Sequence, residues 1–201
     1  MNFLAHLCLA NGDSGLMMGG LIGDFVRGRR ALRAFPEPIG QGIVLHRYID
    51  KCTDRSPVIK KLRPQFPREF RRYAGIIIDL AFDHELAINW WRYMPGSLER
   101  FDLEARDLLR EHAEWVPEKL AGFMVYADRH GLFSSYRETG VVLQALTGIG
   151  KRLSRPNPLH RVDEIWPELS PVFKPAFKEF FPLIQSDVLE WRKRNSTTTG
   201  S

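Results

Sequence analysis

The sequence predicts an all-α fold, a single-domain helical bundle over residues 1–194. Apolar residues recur with helical period along nearly the whole chain, and no segment alternates apolar and polar residues as a half-buried strand would. Glycine and proline clusters cut the chain into helix-length pieces. Its 201 residues make one domain of ordinary size, large enough to fold without a disulfide or metal staple.

The elements follow in order. Phe3, Leu4, Leu7 and Cys8 give a short apolar-faced first helix, and Asn11–Gly15 a turn. Leu16–Val26 reads as a glycine-rich helix in which Gly19, Gly20 and Gly23 admit a neighbouring backbone or a ligand. After the Phe35–Pro38 break comes Ile39–Lys51, then Ser56–Leu62 with Ser56 as N-cap and Pro57 at the first helical position. Pro67–Tyr93 is the longest predicted helix. Ser97–Trp115, Pro117–Ala127 and Ser134–Leu146 follow, with His130 in a turn between the last two. Val162–Arg194 carries Pro167, Pro171, Pro175 and Pro182, which predicts two or three pieces. Residues 195–201 read as a disordered polar tail.

Composition bounds the partners. Lys plus Arg is 29 and Asp plus Glu 24, a net charge of +5. This excludes an acidic solvating protein and favours an anionic partner. The excess is local. Lys51–Arg72 carries eight basic residues against two acids, whereas Glu99–Lys119 carries four against seven. Two cysteines, without a C-x-x-C pair or a signal peptide, predict a reduced, cytoplasmic protein. No apolar run is long enough for a membrane span, so no membrane partner is expected. No zinc-finger or nucleic-acid signature is present, and no nucleic-acid partner is expected.

Several polar residues interrupt apolar sequence: His6, Asp24, His46, Asp50, Asp79, Asp83 and His84. Buried acids are paired or bind metal, because an isolated ionised carboxylate is costly to desolvate. His46 and Asp50 are four residues apart, about 40° around a helix, and so share a face; Asp79 and Asp83 have the same relation. Asp83 and His84 are about 100° apart and can flank one site. Acids and imidazoles from four helices could thus converge. Carboxylates with imidazoles and no thiolate suit Mn, Mg, Fe or Zn, with Mn or Mg favoured by the carboxylate share. Other partners stay open, among them Arg27 three residues after Asp24, and an ordinary His46–Asp50 pair.

These same residues carry a resemblance. Met1-Asn-Phe-Leu-Ala-His-Leu, Gly23-Asp-Phe-Val-Arg-Gly, His46-Arg-Tyr-Ile-Asp and Asp83-His-Glu-Leu-Ala-Ile-Asn-Trp resemble, in order, blocks of the acyl carrier protein phosphodiesterases. The sequence departs from the pattern at Cys8, where the family has a second histidine. The resemblance implies a divergent HD-phosphohydrolase-like helical fold and a divalent metal, usually Mn²⁺, with Mg²⁺ or Fe²⁺ as alternatives. It implies a substrate, holo acyl carrier protein, whose phosphodiester to 4′-phosphopantetheine is hydrolysed. On this reading Asp24, His46, Asp50, Asp83 and His84 are candidate ligands, and Asp79 orients one of them. Asp24, His84 and His6 are candidate catalytic groups, with either histidine as general acid. Arg27, Arg29, Arg30, Arg33, Arg47, Lys60, Lys61 and Arg63 form a basic rim for the acidic carrier protein. The competing readings are an HD-type nucleotide phosphohydrolase and a non-enzymatic basic binding module.

Overall fold

A computed structural model describes residues 2–118, 120, 131 and 133–196. Most of the predicted Pro117–Ala127 helix, His130 and residues 197–201 of the expected tail lie outside them. Among the described residues there is no strand, and the all-α prediction holds. No described helix is long and apolar enough to cross a membrane.

Among the described residues eight α-helices, joined by short 3₁₀ turns, build the bundle. They are α1 (Phe3–Ala10), α2 (Ser14–Ile22), α3 (Glu37–Arg55), α4 (Pro57–Leu62), α5 (Ala74–Ile88), α6 (Leu98–Glu111), α7 (Thr139–Arg152) and α8 (Val162–Ser196). Every residue of α1 from Leu4 to Ala10 is buried. A helix that is apolar all round belongs inside a protein. α1 accordingly packs against α2, α3 and α5.

α2 begins where the Asp13 carboxylate accepts from the Leu16 N–H at 2.9 Å, two residues before the predicted start. It ends at Ile22, and Gly23–Phe25 tightens into a 3₁₀ turn. α2 and α3 cross at backbone contact. A Cβ on Gly19 would sit 2.4 Å from the Ile39 carbonyl oxygen, and one on Gly42 2.6 Å from that of Gly15. Gly19 therefore admits a neighbouring backbone as predicted, whereas a Cβ on Gly20 would meet His6 at an ordinary 3.7 Å.

Further predicted boundaries are corrected: Ser134–Leu146 is a 3₁₀ turn at Ser134–Arg137 followed by α7 from Thr139 to Arg152. Pro67–Tyr93 is not one helix: α5 proper is Ala74–Ile88, with 3₁₀ turns at Arg71–Tyr73 and Trp90–Arg92. The longest element is α8, which runs unbroken over 35 residues through all four prolines. Pro167, Pro171, Pro175 and Pro182 all face solvent, where water can take the carbonyls they leave without a donor. On the other face Leu169, Phe173, Phe177, Phe181, Ile184 and Val188 form an uninterrupted buried stripe. Phe82 of α5 meets Phe177 edge-on at 5.4 Å between centroids, so α5 and α8 share an aromatic seam. The helix also continues through Asn195 and Ser196, two residues into the expected tail.

Candidate metal centre

His6 and His46 meet at the junction of α1, α2 and α3. Because α1 is wholly buried, the His6 side chain is only 1% exposed. Its Nε2 lies 3.2 Å from Asp50 Oδ1. His46, 3% exposed, projects from α3 toward α2. Its Nδ1 lies 2.9 Å from the Gly20 carbonyl oxygen, a partner that can only accept, so Nδ1 carries a proton and donates it. That fixes the ring with Nε2 facing Asp24 Oδ1 at 3.3 Å and Asp50 Oδ2 at 3.2 Å. The two imidazoles stack with centroids 4.0 Å apart and planes 19° from parallel. Gly23 makes this possible, since a Cβ there would stand 2.4 Å from His46 Cγ.

The donor atoms of His6, His46 and Asp50 all lie within 4.8 Å of one another. Asp50 is 41% exposed and Asp24 62%, so the cluster has a buried imidazole floor and a carboxylate rim open to water. Asp24 therefore departs from the buried position its apolar surroundings suggested, because the chain leaves α2 at Ile22 and places it on the 3₁₀ turn. The i, i+4 reading of His46 and Asp50 describes the geometry found. The donor set suits a divalent cation: two imidazole nitrogens, one of them oriented by a backbone carbonyl, and carboxylate oxygens on the open side.

Charge is distributed unequally. Burial, the largest influence, holds His6 down to about 4, so it is neutral near pH 7. Burial also acts against protonation of His46, but hydrogen bonds to Asp24 and Asp50 overcome it and raise His46 to about 9. The His46 hydrogen bond holds Asp24 below the usual carboxylate range. Asp50 also lies below that range, its burial outweighed by hydrogen bonds to both histidines.

A pH dependence follows for metal-free protein. Because His46 is raised on folding, its stabilising contribution is complete below about pH 6.5 and lost as pH rises through about 9. The depressed Asp24 and Asp50 are lost only in acid, below the ordinary carboxylate range. His6, neutral in the folded state, contributes above about pH 6.5 and loses that contribution toward about 4. Urea unfolding in EDTA should therefore show stability falling by up to about 3 kcal/mol between pH 7 and 9. A flat profile over that interval would exclude the His46–Asp24–Asp50 network.

The structure does not bring Asp83 or His84 to this cluster, which corrects the expected convergence of four helices. Asp83 is 0% exposed, and its two oxygens accept from the Leu4 N–H at 2.9 Å and the Ala5 N–H at 3.1 Å. It caps α1 from α5, because Asn2 makes no side-chain capping bond there. Burial, then the nearby Asp79 charge, push Asp83 up to about 7 against those two donors. Asp79 is half-buried one turn earlier on α5. His84 Nδ1 donates to the Tyr136 carbonyl at 2.7 Å, and the ring packs edge-on against Trp166. Cys8 is buried, and burial followed by the Asp83 charge pushes its thiol up, so it packs as a neutral side chain.

Arg27, Arg29, Arg30 and Arg33 are exposed on the segment that follows Asp24, and Lys60 and Lys61 are exposed on α4. Arg63 pairs with Asp54 at 3.0 Å. Arg47 departs from the predicted rim: it is half-buried, and its guanidinium donates to the Val26 and Gly28 carbonyls. Sequence reasoning missed Gly20, because its contribution is a backbone carbonyl that residue type does not encode. It also missed the buried Asp102, which accepts from the Phe133 N–H and Ser134 Oγ and lies within a charge-rich helix.

The family model described as acyl carrier protein phosphodiesterase matches residues 1–184. A Photorhabdus laumondii protein named acyl carrier protein phosphodiesterase is 31% identical over 183 residues, covering 90% of this chain and 92% of its own. A Yersinia enterocolitica protein of the same name is 35% identical over 153 residues, covering 76% and 79%. One from Escherichia coli O6:H1 is 31% identical over 186 residues, covering 90% and 94%. No solved structure shows a significant match. With the family model spanning nearly the whole described chain and the relatives aligned over most of their length, this chain belongs to the acyl carrier protein phosphodiesterase family.

Proposed function

We propose that the chain hydrolyses the phosphodiester joining 4′-phosphopantetheine to a serine of holo acyl carrier protein, using a divalent cation, Mn²⁺ on the donor mix, held by His6, His46 and Asp50 with Asp24 at the rim. The observation that carries this reading is the pair of stacked imidazoles sharing one carboxylate. The names of the relatives supply the substrate.

A divalent cation bound there would polarise the phosphoryl oxygens and lower the pKa of a water. The chain's own groups do the rest. His6, neutral on the dry floor, donates through Nε2 to Asp50 in the metal-free protein and would offer that nitrogen's lone pair once its proton moves to Nδ1. The Gly20 carbonyl holds the His46 ring so that its Nε2 points at the same place. Asp50 sets the spacing between the rings. Asp24, on the solvent side, would orient the attacking water. A water oxygen bonds to phosphorus as the bond to the serine oxygen breaks, and the proton that the water gives up balances the one that the serine oxygen takes up. In metal-free protein Nε2 of His46 carries a proton that a cation must displace, so apparent Mn²⁺ affinity rises with pH toward about 9.

The test is incubation with Mn²⁺ and purified holo acyl carrier protein, followed by intact mass. Apo carrier protein should accumulate with Mn²⁺ and not with EDTA. Metal-loaded protein that leaves holo carrier protein intact while hydrolysing a small nucleotide would overturn the reading.

The exposed arginines beside Asp24 predict a second result. Charge reversal of Arg29 and Arg30 to Glu should raise KM for holo acyl carrier protein about tenfold with little change in kcat, and the effect should shrink as salt rises. Equal KM for variant and wild type at low salt would remove these residues from the docking surface.

A further inference from the structure

Arg47 has a task that its neighbour His46 makes clear. One guanidinium nitrogen donates to the Val26 carbonyl at 2.7 Å and the Gly28 carbonyl at 3.2 Å. Gly28 lies at φ +78°, in the left-handed region, although a Cβ built there would touch nothing within 4 Å. Packing does not demand that glycine. Its backbone conformation belongs to the turn whose two carbonyls meet one nitrogen. Upstream, the Val26 N–H donates to the Gly23 carbonyl and closes the 3₁₀ turn that carries Asp24. Consecutive residues of α3 therefore hold both sides of Asp24. His46 grips Gly20 before it, and Arg47 grips Val26 and Gly28 after it.

We propose that Arg47 is a positioning residue that clamps the arm over residues 26–28 to α3 and thereby holds Asp24 against His46 Nε2. It rests on the reading of Asp24 as part of the metal centre. Asp24 is 62% exposed on a short turn, with the hydrogen bond to His46 as its described side-chain contact, so the clamp bears on its position. A lysine ammonium has donors for the same carbonyls but lacks the delocalised, planar group that holds one nitrogen's two N–H bonds in a fixed plane. The same clamp fixes where Arg27, Arg29 and Arg30 are displayed.

Limited trypsin digestion of the full-length protein in EDTA tests the clamp directly, since Arg27 on the arm and Arg29, Arg30 and Arg33 just after it are exposed cleavage sites. Arg47→Gln should be nicked within residues 27–33 about tenfold faster than wild type, following the population of the opened arm. Cleavage elsewhere and the melting midpoint should stay unchanged, and Arg47→Lys should fall between. Mn²⁺ affinity by calorimetry should weaken about tenfold in Arg47→Gln, as expected for loss of a group that orients a ligand. Nicking of Arg47→Gln at the wild-type rate overturns the inference. Faster nicking with unchanged Mn²⁺ affinity overturns it too, because Asp24 would then hold its place unaided. Wild-type protein that neither binds Mn²⁺ nor acts on holo carrier protein would overturn the proposed function instead, and the digestion would still decide the clamp.

Discussion

Asp83→Ala should destabilise the protein by about 3–5 kcal/mol, with activity lost through the fold rather than through metal binding. The Asp83 carboxylate is fully buried and is the described cap of α1, accepting from two backbone N–H groups through separate oxygens. Truncation leaves both donors buried without an acceptor, at about 1–3 kcal/mol each, and opens a cavity between α1 and α5. Asp83→Asn should cost less. Its carbonyl keeps one donor satisfied, whereas its amide nitrogen meets the other donor and cannot accept. Chemical unfolding gives the stabilities, and Mn²⁺ titration in the cold, where the variant stays folded, separates the roles. Affinity within a few fold of wild type is expected there. A variant as stable as wild type that binds no Mn²⁺ would return Asp83 to the ligand set.

Asp83 also marks how far the sequence could be read. Its place amid Ile76, Ile77, Ile78, Leu80 and Ala81 announces a buried acid that needs a partner. Two kinds of partner satisfy such an acid, a cation or backbone donors at a helix end, and residue type does not separate them. The deciding fact is tertiary: the N-terminus of α1 arrives at α5 without a side-chain cap of its own. His46 and Asp50 were legible for the opposite reason, since four residues on one helix fix a geometry before any tertiary contact forms. The all-helical class was legible from periodicity. The continuity of α8 was not, because proline propensity describes an isolated helix, and here the four rings share the wet face while the apolar stripe opposite holds the helix continuous through them. Asp24 stood out by its apolar neighbours, yet its exposure depends on where α2 stops, which a glycine-rich stretch leaves undetermined.

Asp50→Asn should leave the fold intact and abolish turnover. The substitution preserves shape at a side chain that is 41% exposed, so little packing is at stake. What it removes is charge at the one residue joining both rings, through Oδ1 to His6 Nε2 and Oδ2 to His46 Nε2, each at 3.2 Å. An amide offers a single acceptor oxygen and turns its nitrogen toward the other ring. Losing one anion from a site whose buried donors are imidazoles, both uncharged once a cation has displaced the His46 proton, should weaken Mn²⁺ binding about 100-fold. If about 4 kcal/mol of charge stabilisation at phosphorus goes with it, kcat falls about a thousandfold. The metal-free protein carries an independent sign of the same change. Asp50 is one of the two carboxylates that raise His46, so the variant's loss of stability between pH 7 and 9 should be markedly smaller than that of wild type. Wild-type turnover of Asp50→Asn at saturating Mn²⁺ would show that the cluster is a structural pairing of two histidines and an acid. A variant whose pH profile flattens while its Mn²⁺ affinity holds would place the cation on other residues.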